Sequence, residues 1–195
     1  APLEEGAEVL AFYDTLHGSA VKIGTYLPVS RKLQMNSASE TSARAWLAEY
    51  GMVQSAFLPH MEVGFDPTWD EQFVPGDTRI NTFKASAYMT MPKTERVSTV
   101  ADTPPTINRL LRSLLGDPTP EVFAHFINWL SFVFQKREKT GTAWVFSGTE
   151  GTGKGSFVKY VLSPLFGPEH VRVVQFGLMK QEFNGYLENA LFVVY

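Results

Sequence analysis

Gly148-Thr149-Glu150-Gly151-Thr152-Gly153-Lys154-Gly155-Ser156 lies between the apolar run Ala143-Trp144-Val145-Phe146 and the segment Phe157-Val158-Lys159-Tyr160-Val161-Leu162. An apolar run, a glycine-rich loop and an amphipathic segment, in that order, predict a strand, a phosphate-binding loop and a helix. Glycine lets the backbone take left-handed angles, so successive N–H groups can turn inward as an anion-binding nest. A helix starting near Lys154 aims its unpaired N–H groups and the positive end of its dipole at the same point. All nine residues, Gly148, Thr149, Glu150, Gly151, Thr152, Gly153, Lys154, Gly155 and Ser156, are therefore candidates for the phosphate cradle, and Lys154 supplies its mobile charge. Glu150 is expected to face outward, because a carboxylate aimed at a triphosphate would repel it. The bland alternative is a glycine-rich turn with a surface lysine. Spacing alone arises by chance in roughly one chain in twenty of this length, so the flanking strand and helix carry the assignment.

The residue after Lys154 is Gly155, where the general motif has a Ser or Thr to hold Mg²⁺. Ser156 is the nearest hydroxyl and the first candidate metal ligand, with Thr152 the second.

The 195 residues are 44% hydrophobic and 19% charged, enough apolar content for one domain or two small ones with a real core. There is no cysteine, which excludes disulfides and thiolate zinc sites and fits a cytoplasmic location. The net charge of −3 gives no bulk basic surface, so contact with nucleic acid needs a local cluster or a ring of subunits. No apolar run approaches the roughly 20 residues of a membrane span, and no signal peptide is evident. The sequence begins at Ala1 and stops at Tyr195 directly after the apolar Leu191-Phe192-Val193-Val194, which suggests a piece of a longer protein.

Residues 3–16 place Leu3, Ala7 and Leu10 on one helical face and predict an amphipathic helix ended by Gly18. Val21 to Val29 reads as extended, in a hairpin with Lys32-Leu33-Gln34-Met35. Ser37-Ala38-Ser39-Glu40 predicts a capping box before a helix carrying Ala43, Trp46, Leu47 and Tyr50. A winged-helix-like DNA binder and a plain structural or docking module both fit this block. From Pro59 to Pro92 turn residues dominate. Asp66, Asp70, Glu71 and Asp77 invite a metal-site reading, against the commoner one of solvated acidic turns. His60 reads as a loop histidine, and Ile80 to Phe83 and Ala87 to Met89 as two short strands.

Thr103-Pro104-Pro105 opens a helix through Leu115, closed by Gly116. A second helix follows, with Phe123, Phe126, Ile127, Trp129, Leu130, Phe132, Val133 and Phe134 nearly all round it, which predicts burial on every side. It ends in Gln135-Lys136-Arg137-Glu138-Lys139, where the cations can serve the helix dipole or contact nucleotide or nucleic acid. Beyond the loop, a helix to about Leu165, a strand Val171 to Val174, a short helix Leu178 to Glu182 and a strand Leu191 to Val194 complete an α/β nucleotide-binding pattern with right-handed crossovers. The expected division is an accessory α+β region over 1–100 and a helical lead-in with the first half of an ATPase domain over 101–195.

Asn81-Thr82-Phe83, Asn128-Trp129-Leu130 with Gln135 and Lys139, the run Trp144 to Gly155, Phe183-Asn184 and Leu191 to Val194 together resemble the helicase region of phage and plasmid primase-helicase proteins. That region is similar to the superfamily 3 helicases, an AAA+ group often found C-terminal to a primase-polymerase domain. The resemblance covers roughly residues 80–195, and in that family Lys-Gly is common at this point of the loop. It implies an α/β fold with a P-loop NTPase, AAA+-like parallel sheet, incomplete at its C-terminus. It also implies ATP and Mg²⁺ as cofactors, Lys154 as the catalytic lysine, and a hexamer-like homo-oligomeric ring around single-stranded DNA. A primase-polymerase domain in the same parent chain and the cytoplasm of a bacterial host follow from it too. The metal-binding acids that follow the last strand in this family lie beyond Tyr195, as do the sensor residue and arginine finger. Two other functions stay open on the residues alone: a nucleotide or small-molecule kinase using the same loop, and a non-catalytic oligomerisation or docking piece.

Overall fold

The structure, a computed structural model, describes residues 5–52, 58–92, 99–138, 140–149, 151–174 and 187–195. They form two units, Ala1–Lys84 and Ala85–Tyr195; the sequence places its division near residue 100.

In the first unit β1 (Glu8–Asp14), β2 (Ala20–Leu27) and β3 (Lys32–Ser37) form an antiparallel meander. Helix α1 (Glu40–Glu49) crosses over to β4 (His60–Gly64), which runs parallel to β1, and β5 (Arg79–Asn81) runs parallel to β4. The five-stranded order is β3-β2-β1-β4-β5. The expected helix over residues 3–16 is instead the central strand β1. Leu10 and Phe12 enter one core with Tyr26, Met61, Val63, Phe73 and Ile80, while Ala11 enters another with Ala43, Leu47 and Leu58. A strand buried on both faces is apolar at successive positions, and such a run carries no period that separates it from a helix. Gly18, read as a helix stop, sits at φ +68° in the β1–β2 turn, beside Ser19 at +59°.

The hairpin expected from Val21 onward is present, and so is α1. Its cap lies two residues later than the capping box predicts: Ser39, not Ser37, accepts the Ser42 N–H through its side chain. A Cβ at Gly24 would run into the Gln34 carbonyl and stand 3.1 Å from Met35 Cα on β3. Gly24→Ala therefore forces β2 and β3 apart, and is expected to cost about 3 kcal/mol, read as a lower urea midpoint with unchanged slope.

The acids of the turn-rich stretch are spent locally. Asp66 accepts from the Thr68 N–H and hydroxyl, Asp77 pairs with Arg79 at 3.3 Å, and Glu71 lies 3.5 Å from Arg31. Among the described residues no three His, Asp or Glu side chains are placed to hold a metal. His60 stacks on Tyr13. Asn81 is a buried staple: its amide donates to the Asp66 and Trp69 carbonyls and its oxygen accepts from the Asp66 and Phe83 N–H groups.

In the second unit Ala87 to Met89, expected as a strand, is a turn in which the Met89 and Thr90 N–H groups reach the Ser86 carbonyl. Helix α2 (Pro105–Leu114) starts at a proline, as read, and buries Leu111 and Leu114. Helix α3 (Pro120–Lys136) buries Phe123, Phe126, Leu130 and Val133, one stripe at helical spacing. The expectation of burial all round fails here: Val122, His125, Asn128, Phe132 and Gln135 are exposed. The backbone N–H of Glu121 itself and then the Thr119 hydroxyl hold the Glu121 carboxyl below its ordinary range. At the other end Arg137 closes the helix in a left-handed conformation, φ +56°, with its N–H on the Val133 carbonyl. Lys136 and Arg137 thus stand at the helix C-terminus, where the dipole favours cations; Lys139 lies outside the described residues.

Residues 143–146 have strand-like alternation, with Trp144 and Phe146 half-buried and Val145 89% exposed. They are in no ladder among the described residues, so the expected strand before the loop is an extended segment packed on α3. Strands β6 (Val171–Val173) and β7 (Phe192–Val194) pair in parallel, close to both predicted strands. The short helix expected at Leu178 to Glu182, and Phe183-Asn184, lie outside the described residues.

After the loop, α4 (Lys154–Phe157), a π-helical turn (Val158–Leu162) and α5 (Ser163–Phe166) follow without interruption. Pro164 has no N–H, and the widened turn, with the Ser163 N–H on the Val158 carbonyl, lets the helix pass the proline that the sequence reads as a breaker. Among the described residues no helix is long and apolar enough to cross a membrane.

Candidate phosphate-binding site

An aromatic hub fixes both ends of the glycine loop. Phe146 precedes the loop and Phe157 follows it, and their ring centroids lie 6.0 and 5.8 Å from Phe126, which is fully buried. Trp144 packs on Phe126 at 4.9 Å and Trp129 on Phe192 at 5.8 Å, linking the approach to the loop with β7. The Trp129 indole donates to the Thr142 hydroxyl at 2.9 Å, which holds the chain two residues before Trp144. Asn128, from the same quoted motif, is exposed.

Within the loop Gly151 and Gly153 have φ of +82° and +95°, values that a side chain disfavours. Gly153 is doubly constrained, since a Cβ there would stand 3.0 Å from Leu110 Cδ1 of α2. The Lys154 ammonium folds back into the loop. It donates to the carbonyls of Gly148 and Thr149, each at 2.9 Å, and to the Thr152 hydroxyl at 3.1 Å. Thr152 in turn donates to the Thr149 carbonyl at 3.0 Å. The carbonyl side of the loop is thereby turned onto the lysine. Among the described residues no hydrogen bond engages the N–H groups of Gly155 and Ser156, as befits the first turn of a helix.

The structure thus gathers Gly148, Thr149, Gly151, Thr152, Gly153, Lys154, Gly155 and Ser156 into one turn; Glu150 lies outside the described residues. Ser156 is half-buried and Gly155 exposed. The loop thus joins a held cation to a helix start whose Gly155 and Ser156 N–H groups have no partner among the described residues, donors of the kind that an oxyanion with several oxygens uses. Thr152 as the brace of the lysine, Leu110 beneath Gly153 and Phe126 as the hub were not assigned these parts from the sequence. Leu110 and Phe126 do lie on the apolar stripes of their helices, the only sign of them there.

Among solved structures, the fold resembles that of a C-terminal region of NrS-1. Two apo structures of the C-terminal region of NrS-1 superpose with TM-scores of 0.67 and 0.68 at 27% and 28% identity, covering 97% of this chain and 43% and 42% of theirs. In sequence, the chain is 35% identical over 125 residues to the DNA primase-polymerase of Nitratiruptor phage NrS-1. That alignment takes in 64% of this chain and 16% of the relative, so the chain spans less than half of the solved region and about a sixth of the whole relative. No family model matches.

Proposed function

We propose that this chain supplies the phosphate-binding part of an ATP-dependent DNA helicase in a phage-type replication protein, with an AAA+-like P-loop core. The observation that carries this reading is the Lys154 ammonium, held by Gly148, Thr149 and Thr152 at the start of a helix whose Gly155 and Ser156 N–H groups have no partner among the described residues. Homology to a phage primase-polymerase supports a role in DNA replication.

Phosphoryl transfer asks little covalent chemistry of a protein; positioning and charge do most of it. The loop N–H groups fix the phosphates, and Lys154 neutralises the oxygens that gain charge. When bound, Mg²⁺ would neutralise the phosphate oxygens further. Ser156 would be its protein ligand, because the Thr152 hydroxyl is already committed to Thr149 and Lys154. On this reading the parent protein is a ring of like subunits on single-stranded DNA in the host cytoplasm, with a primase-polymerase domain in the same chain.

Turnover of ATP by the intact protein, with and without single-stranded DNA, tests the reading, since a motor is stimulated by its track and a small-molecule kinase is not. Equal turnover in both would favour the kinase. Ser156→Ala is expected to raise the Mg²⁺ concentration for half-maximal turnover about tenfold, equivalent to about 1.4 kcal/mol. Nucleotide binding without metal should be unchanged. An equal rise for Thr152→Ala with none for Ser156→Ala would move the ligand to Thr152.

A further inference from the structure

A second basic feature lies on α2, on the opposite face from Leu111 and Leu114. It is an open groove of about 640 Å³ lined by Thr103, Asn108, Arg109, Arg112, Ser113 and Asp117 among others. Arg109 and Arg112 are one helical turn apart and face the same space. Arg112 is held in place: its Nε donates to the Asn108 side-chain oxygen at 2.9 Å, and its guanidinium lies 4.4 Å over the Phe123 ring. Arg109 makes no ion pair or hydrogen bond among the described residues, and the Asp117 carboxylate pairs with neither arginine.

We propose that this groove binds the phosphodiester backbone of a single-stranded nucleic acid, with Arg109 and Arg112 as its phosphate contacts. Two guanidinium groups lining one groove repel each other, and an anion held by both relieves that cost while offering the planar acceptor geometry that arginine matches. Sites for free nucleotides are concave and enclose most of the ligand. An open groove instead suits a strand that enters and leaves. The chain carries a net charge of −3, so attraction for a polyanion has to be local, and here two cations face one acid. Asp117, at the edge, opposes phosphate and limits the contact to a short run. The proposal rests on reading the chain as part of a DNA-replication protein, but not on the glycine loop.

Anisotropy of a fluorescein-labelled oligo-dT, titrated with the intact protein in the absence of nucleotide, tests it. Arg109→Gln is expected to weaken binding about three- to tenfold and to lower the salt slope by about one. Arg109→Lys should recover most of the loss, because it keeps the charge. Asp117→Asn should tighten binding severalfold. Asp117 sits at φ +56°, a conformation that asparagine tolerates, so this variant keeps the fold and decides the matter if Arg109→Gln does not fold. Arg109→Gln should leave binding of labelled ATP unchanged, which separates failure here from failure of the phosphate-loop reading. Wild-type affinity in both Arg109→Gln and Asp117→Asn overturns the proposal. So does a loss of labelled ATP binding in Arg109→Gln with oligo-dT binding intact, which would make the groove a nucleotide site.

Discussion

Replacing Lys154 by alanine is expected to abolish ATP hydrolysis by the intact protein, with kcat lower by about a thousandfold, or about 4 kcal/mol of lost transition-state stabilisation. The ammonium is the one full positive charge inside the loop, and its three acceptors, Gly148, Thr149 and Thr152, fix where it stands. Those acceptors are solvent-exposed or partly so, and water replaces the lost donor. The unfolding midpoint should therefore move by no more than a few degrees. Lys154→Arg should not rescue, since a flat fork cannot satisfy three oxygens gathered around a point charge. Phosphate release and binding of labelled ATP, measured beside a thermal melt, give the answer. Turnover at the wild-type level in the alanine variant would remove the loop from the chemistry.

Phe126→Ala should be the most damaging substitution in the second unit. The ring is fully buried and touches Trp129, Trp144, Phe146 and Phe157, with centroids 4.9 to 6.0 Å away. Removing it leaves a cavity the size of a phenyl group, with an expected loss of about 3–5 kcal/mol. The loss has a functional side. Phe146 and Phe157 are the anchors of the two loop ends, so nucleotide affinity should fall with stability. Phe126→Leu refills much of the space, and should keep most of the binding and all but about 1.5 kcal/mol of the stability. Denaturant unfolding of the two variants, followed by tryptophan fluorescence because Trp129 and Trp144 report on this hub, measures both effects. A Phe126→Ala midpoint within about 1 kcal/mol of wild type would show that the hub is not what holds the loop.

Where local spacing decides structure, the sequence was legible. The proline at the start of α2, the glycine and lysine order of the loop, and the apolar runs of β6 and β7 each act over a handful of residues. The misread elements share one cause. Strand β1 reads as a helix because it is buried on both faces and shows no alternation. Helix α3 reads as buried all round because its aromatics outnumber the positions that face a core. The run 143–146 has the composition and alternation of a strand, but a strand is completed by a hydrogen-bonded neighbour, and composition does not name one.

The same division runs through the site. Glycines at fixed intervals and a following helix are enough to predict the loop's left-handed turns at Gly151 and Gly153 and the helix start at Lys154, because backbone conformation at glycine and the start of a helix are local properties; that the loop wraps an anion is the proposal. Which hydroxyl is free was settled only in three dimensions. Thr152 closes on the Thr149 carbonyl and the Lys154 ammonium, while the Ser156 hydroxyl has no partner among the described residues. The contacts of Leu110 with Gly153 and of Phe126 with Phe157 likewise join residues more than thirty positions apart. No interval in the sequence encodes such contacts; they exist because α2 and α3 bury their apolar stripes in one core with Phe157 of α4.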